Sequence, residues 1–183
     1  MSKLPTIHTT RLLNENGRFP VEQLDLEFSN GVRRTYERMR GSGRGAVVIV
    51  PMLDDETVLL VREYAAGLHA YELGLPKGRL ERGEDVLEGA NRELKEEVGY
   101  GARKLGIVAK LSLAPTYMAH QTHVVLAQDL YPERLVGDEP EELEVVPWKL
   151  DDLASLITRE DCTEGRSIAA LFIARELMRS GSR

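Results

Sequence analysis

The sequence predicts a mixed α/β (α+β) protein with a small β-hairpin unit at its N-terminal end. Apolar and polar residues alternate over residues 21–29, which is the period of a half-buried strand. Residues 46–52 form a nearly continuous apolar run, and a second strand is predicted at residues 57–62. Residues 85–98 carry an apolar stripe at helical spacing. Strands therefore precede and follow a helix without the regular alternation of a β-α-β series.

The N-terminal unit is predicted from a turn signal between two strands. Asn30 and Gly31 separate residues 21–29 from a returning strand at residues 32–40, and this dipeptide is the strongest short-range hairpin signal. Glycines interrupt the pattern over residues 41–45, as expected for a linker. We therefore expect a β unit over residues 1–44 and a main domain over residues 45–183.

The main domain contains one clear helix, which Gly83 precedes and which Gly99 can end as a left-handed C-cap. An acidic loop is predicted before the last strand. The remaining predicted elements are strands at 105–113, 122–130 and 145–150, the acidic loop at 132–143, and helices at 151–158 and 167–178.

Composition excludes several classes of protein. The 183 residues carry a net charge of −6, which argues against a general nucleic-acid binder. Cys162 is the single cysteine, so an intrachain disulfide framework is impossible. The sequence shows neither an apolar stretch of membrane-spanning length nor the apolar core of a signal peptide. We therefore expect a cytoplasmic protein that does not bind membranes.

Three glutamates, Glu93, Glu96 and Glu97, lie in the last two turns of the predicted helix. Residues three and four apart share a helix face, where like charges repel by about a few tenths of a kcal/mol per pair. The helix C-terminus also disfavours anions. A divalent cation such as Mg²⁺ or Mn²⁺ would offset both effects. The alternative is a solvated glutamate-rich face that Arg92 and Lys95 neutralise in part.

The region around these glutamates resembles the Nudix box, G-x5-E-x7-R-E-U-x-E-E-x-G-U, in which U is a bulky aliphatic residue. From Gly78 the chain reads GRLERGEDVLEGANRELKEEVGY. Tyr100 is the one departure, because it is aromatic where the pattern prefers an aliphatic residue. The positions that match are Gly78, Glu84, Arg92, Glu93, Leu94, Glu96, Glu97 and Gly99.

The resemblance to the Nudix family implies a mixed sheet sandwiched between helices and hydrolysis of a nucleoside diphosphate linked to another moiety. It implies that Glu93 and Glu97 are metal ligands and that Glu96 is a ligand or orients water. It also implies that the carbonyl of Lys77 lies at a ligand position.

The resemblance gives the other box residues structural roles. Glu84 and Arg92 would form a salt bridge that fixes the loop against the helix. Gly78 would let the backbone approach the metal closely, and Gly99 would form the tight exit from the helix. In relatives that cleave ADP-sugars, a carboxylate outside the box often serves as general base. Here Glu139 and Glu142 of the acidic loop are the candidates, and a merely exposed acidic loop is the alternative.

The wider sequence, including LDLEFSNGVRRTYERM and VREYAAGLHAYELGLPKG, resembles the branch of the family that acts on ADP-linked compounds. This implies Mg²⁺-dependent cleavage of ADP-ribose, diadenosine triphosphate or NADH, with release of AMP or ADP. It also implies a homodimer formed through the N-terminal β unit. The candidate substrate contacts are Arg34, Arg38, Arg40, Arg62 and Tyr117.

Two other functions remain open from the sequence. One is pyrophosphate removal from RNA 5′ ends, against which the absence of a long basic tract argues. The other is a non-catalytic nucleotide sensor, which would normally have lost one of the box carboxylates.

Overall fold

The computed structural model describes residues 3–14, 19–41 and 43–181. The chain divides into two compact units. The first consists of Met1–Gly43 and Ser112–Gln121, and the second of Arg44–Leu111 and Thr122–Arg183. The boundary near residue 44 stays a prediction. Residues 112–121 belong to the first unit although they lie far from its other residues in the sequence, and no local pattern indicates this.

Most of the described elements are strands, and the first helix lies between the seventh and the eighth strand. In chain order they are β1 Thr6–Asn14, β2 Val21–Glu27, β3 Arg33–Met39, β4 Ala46–Pro51, β5 Thr57–Ala65, β6 Ala70–Gly74, β7 Lys77–Arg79, α1 Val86–Glu97, β8 Tyr100–Ser112, β9 Gln121–Pro132, β10 Glu144–Lys149, a 3₁₀ turn Leu150–Asp152, α2 Leu153–Leu156 and α3 Gly165–Gly181.

The first unit contains a three-stranded antiparallel sheet in the order β1-β2-β3. The turn between β2 and β3 lies at Asn30-Gly31, as predicted. Gly31 has a φ of +80°, and the side chain of Asn30 accepts a hydrogen bond of 3.1 Å from the amide of Val32. The predicted hairpin is therefore part of a larger sheet. Strand β1 lacks clean apolar alternation and forms by pairing with β2.

The second unit places a sheet between helices. Strands β7-β4-β9-β8 form one sheet, in which β4 and β9 are parallel, and β10-β5-β6 form another. Along β4, Val47 and Ile49 belong to a buried cluster that includes Leu94 of α1, whereas Val48 belongs to a cluster that includes Leu171 of α3. The two faces of β4 thus pack against different helices. The predicted mixed sheet between helices is confirmed.

The structure differs from the sequence predictions mainly in short elements. Strands β6 and β7 have no long apolar run, and they form because β5 and β4 supply pairing partners. The helix predicted at 151–158 is a 3₁₀ turn followed by the short α2. Across the described residues, no helix is long and apolar enough to span a membrane.

Candidate active site

Helix α1 has a defined start and a defined end. Asp85 precedes it, and its carboxylate accepts hydrogen bonds from the amides of Leu87 at 2.8 Å and Glu88 at 3.4 Å. Gly99 follows it with a φ of +80°, the left-handed conformation that ends many helices. These two ends fix which residues lie in the last turns, so they determine where Glu93, Glu96 and Glu97 project.

Strand β7 brings the backbone of Lys77 and Gly78 against the glutamates. β7 pairs with β4, where Gly78 lies opposite Val47. A Cβ atom on Gly78 would overlap the carboxylate of Glu93, so a side chain at this position would displace that group. The amide of Lys77 donates a hydrogen bond of 3.1 Å to Glu97. The backbone of Lys77 and Gly78 therefore lies against the two most buried carboxylates of helix α1.

Burial changes the acidity of these carboxyl groups. Glu93 is 8% exposed and Glu97 is 3% exposed. Desolvation raises the pKa of Glu93 to about 7 and the pKa of Glu97 to about 9. Desolvation also raises the pKa of Glu96, although this side chain is less buried. Burial thus favours the protonated form of these groups, and a cation beside them would favour their ionised form instead.

Arg92 partly compensates these charges and connects the loop to the helix. Its guanidinium donates to Glu84 at 2.8 Å and 3.1 Å, and it donates at 3.1 Å to the carbonyl of Arg79. It also lies 2.9 Å from Glu96 and 3.0 Å from Glu93. The structure thus contains the Glu84–Arg92 salt bridge that the family resemblance implied. The hydrogen bond to Arg92 lowers the pKa of Glu84.

The donor set fits a hard divalent cation. Buried carboxylates with raised pKa values lie beside a glycine whose missing side chain leaves room at Glu93. Within the described ranges, no three His, Cys, Asp or Glu side chains already form a group that would hold a metal ion. Glu96 contacts Arg92, and Glu97 accepts a hydrogen bond from the amide of Lys77. The assignment of metal ligands therefore stays a prediction.

The acidic loop connects β9 to β10 over residues 133–143. Its two candidate bases lie in different surroundings. A Cβ on Gly137 would overlap the carboxylate of Glu139 and would lie 3.4 Å from Cβ of Glu96. Among other causes, the charge of Glu139 raises the pKa values of Glu93 and Glu96. Glu142 instead lies 3.5 Å from Arg134 and is largely exposed. The structure thus brings Glu139, and not Glu142, to the glutamates of α1.

The predicted substrate contacts fall into both units. In the first unit, Arg38 forms an ion pair of 2.5 Å with Glu22. The carbonyl of Tyr117 accepts a hydrogen bond of 2.7 Å from the amide of Met39. Tyr117 therefore lies beside the end of β3, close in the fold to Arg38 and Arg40.

The remaining two arginines also have protein partners. Arg34 donates a hydrogen bond of 2.7 Å to the carbonyl of Arg33. In the second unit, Arg62 forms ion pairs with Glu144 at 2.8 Å and Asp161 at 2.6 Å. Arg62 thus joins β5 to β10 and to the residues before α3, and any contact with a substrate would compete with these partners.

Sequence reasoning missed Glu63, which lies next to the glutamates of α1. Its carboxylate accepts a hydrogen bond of 2.5 Å from Nζ of Lys77, and its charge contributes to the raised pKa of Glu97. A signal was available, because Leu59 and Val61 face the cluster of α1 and the alternation of β5 carries that face on to position 63.

Sequence reasoning also missed a link between strand β6 and the acidic loop. The hydroxyl of Tyr71 donates a hydrogen bond of 2.6 Å to Glu141, and this bond raises the pKa of Tyr71. No periodicity indicates it, since the two residues are far apart in the chain.

Comparison with known proteins identifies the family. A family model described as the NUDIX domain matches residues 43–170. A second model, described as the NudE-type Nudix hydrolase N-terminal domain, matches residues 5–38. The chain belongs to the Nudix hydrolase family, which confirms the resemblance seen in the box. Nudix hydrolases generally use a divalent metal such as Mg²⁺.

The relatives include enzymes that act on ADP-containing compounds. The chain is 51% identical to ADP compounds hydrolase NudE of Escherichia coli (strain K12) over 98% of this chain and 96% of that one. It is 30% identical to ADP-ribose pyrophosphatase of Bacillus subtilis (strain 168), with 80% of each chain covered. A crystal structure of an ADP compounds hydrolase superposes with a TM-score of 0.92 and 50% identity, covering 100% of this chain and 98% of that one.

Proposed function

We propose that this chain hydrolyses the pyrophosphate bond of ADP-linked compounds such as ADP-ribose, diadenosine triphosphate and NADH, and that it releases AMP or ADP. We propose Mg²⁺ as the cofactor, with Mn²⁺ as a substitute. The observation that carries the proposal is the packing of Glu93 and Glu97 against the backbone of Gly78 and Lys77. The relatives, whose names specify ADP compounds and ADP-ribose, support the choice of substrate class.

In this proposal Glu93, Glu96 and Glu97, together with the carbonyl of Lys77, would hold the cation. When bound, a divalent cation would neutralise negative charge on the pyrophosphate and would lower the pKa of the water bound to it. The Glu84–Arg92 salt bridge keeps the loop against the helix, so that the carbonyl and the carboxylates stay on one side.

The chain's own base in this proposal is Glu139. Its carboxylate lies beside Gly137 and next to Glu96, and it would accept the proton of the attacking water. We assign this role to Glu139 over Glu142, because the latter lies against Arg134.

We further propose that the protein is a cytoplasmic homodimer joined through the N-terminal β unit, with no nucleic-acid or membrane partner. The dimer interface is supported by exposed apolar side chains on the first sheet, such as Ile7 at 53% and Tyr36 at 45%, within the segment that matches the N-terminal domain model of NudE-type enzymes. Arg34, Arg38, Arg40 and Tyr117 would contact substrate from this unit. Light scattering should give twice the 20.5 kDa chain mass, and a monomer would contradict the proposal.

The test of the activity is a chromatographic analysis of products. Purified protein with Mg²⁺ is offered ADP-ribose, diadenosine triphosphate, NADH and a 5′-triphosphorylated RNA, with EDTA controls. We expect AMP or ADP from the first three and no product in EDTA. Pyrophosphate release from the RNA alone would overturn the substrate class, and the absence of any turnover would overturn the assignment of an active enzyme.

A further inference from the structure

We infer that Tyr71 is a positioning residue for catalysis, because its hydrogen bond to Glu141 holds the acidic loop where Glu139 meets helix α1. This inference rests on the proposed function, in which Glu139 is the base. The hydroxyl of Tyr71 donates to Glu141 at 2.6 Å. Glu141 lies two residues from Glu139, and two residues of chain span at most about 7 Å. A hydrogen bond that fixes residue 141 therefore limits how far the base can move from helix α1.

The loop is anchored at both ends, and the bond from Tyr71 lies between the anchors. Near its start, the amide of Leu135 donates to the carbonyl of Lys95 at 3.2 Å, at the end of α1. At its far end, Glu144 pairs with Arg62 at 2.8 Å. Glu139 sits in the stretch between these anchors, and Tyr71 restrains this stretch from strand β6.

Tyr71, which is 50% exposed, also contacts a tyrosine of the neighbouring strand β5. It lies opposite Tyr64 in the pairing of β5 with β6. The two rings are 5.8 Å apart in an edge-on arrangement, which is a favourable aromatic geometry. The hydroxyl of Tyr64 contacts a different partner, Nδ1 of His69, at 2.7 Å. Strands β5 and β6 thus carry two neighbouring tyrosines. The hydroxyl of Tyr71 forms a hydrogen bond to the acidic loop, whereas the hydroxyl of Tyr64 contacts His69.

The experiment compares Tyr71→Phe with Tyr64→Phe. The latter removes a hydroxyl from the neighbouring strand β5 and leaves the hydrogen bond to the acidic loop in place. We expect Tyr71→Phe to lower kcat about tenfold with KM changed by less than about twofold, since the ground-state contacts to substrate remain. Glu141→Ala should have the same effect. Glu141→Gln keeps an oxygen that can accept from the tyrosine hydroxyl, so its kcat should equal that of the wild type. Tyr64→Phe should match the wild type.

The Glu139→Gln background distinguishes positioning from a general structural effect. If Tyr71 acts through Glu139, adding Tyr71→Phe to Glu139→Gln lowers kcat no further. If Glu139→Gln itself turns over like the wild type, both the assigned base and this inference fail. If Glu139→Gln is impaired but Tyr71→Phe is not, or if the two losses multiply, the inference alone is overturned.

Discussion

Replacing Glu97 by glutamine separates stability from activity at the candidate metal site. Glu97 is 3% exposed and lies in the last turn of α1. Its carboxylate accepts a hydrogen bond from the amide of Lys77 at 3.1 Å. Glutamine has nearly the same shape and an oxygen that can accept this bond, but it carries no charge. Glu97→Gln therefore removes the ionisable group while it leaves the packing in place.

Glu97→Gln is expected to stabilise the protein because the pKa of Glu97 is raised in the folded state. Burial raises the pKa of Glu97 from 4.5 to about 9. Because the folded pKa lies above the unfolded pKa, the group destabilises the metal-free protein increasingly as the pH rises from 4.5 to 9. At pH 7 this effect is of order 3 kcal/mol, at about 1.4 kcal/mol per pH unit. In EDTA at pH 7, Glu97→Gln should therefore melt roughly 6–12 °C above the wild type.

Activity should change in the opposite direction. Loss of groups that merely support a metal ligand costs about 10–100-fold, so kcat of Glu97→Gln should fall by more than about a hundredfold. Mg²⁺ should raise the melting temperature of the wild type and leave that of the variant unchanged. Glu88→Gln, on the exposed first turn of α1, is the matched control and should behave like the wild type. Normal turnover of Glu97→Gln, or a lower melting temperature in EDTA, would refute this reasoning.

Three further outcomes are expected. Glu139→Gln should lose about 10²–10⁴-fold in kcat and Glu142→Gln much less, and equal losses would contradict the distinction between them. Arg159 and Arg62 hold the pKa of Asp161 well below its usual range. Asp161→Asn should therefore destabilise at pH 7, and urea denaturation should show the difference shrinking as the pH falls below about 4. Leu171→Ala, which truncates a buried side chain of α3, should cost about 2–5 kcal/mol in the free energy of unfolding with kcat/KM unchanged at 25 °C.

Local patterns were sufficient for the elements whose signal lies within one stretch of chain. Helix α1 is predicted at 85–98 and lies at Val86–Glu97, because its apolar stripe and its terminal residues are all local. The turn at Asn30-Gly31 is local for the same reason. Strands β6 and β7 were missed, because their five and three residues acquire their structure from pairing with β5 and β4.

Some features of the candidate site likewise follow from the local sequence, and others depend on the tertiary structure. By itself, the sequence determined the box and the spacing that puts three glutamates on the last turns of one helix, since helical geometry follows from residue spacing alone. Only the tertiary structure decided that Glu139, and not Glu142, meets α1, and that Lys77 pairs with Glu63. These contacts join residues far apart in the chain, and their geometry depends on how sheets and loops pack, which no local pattern records.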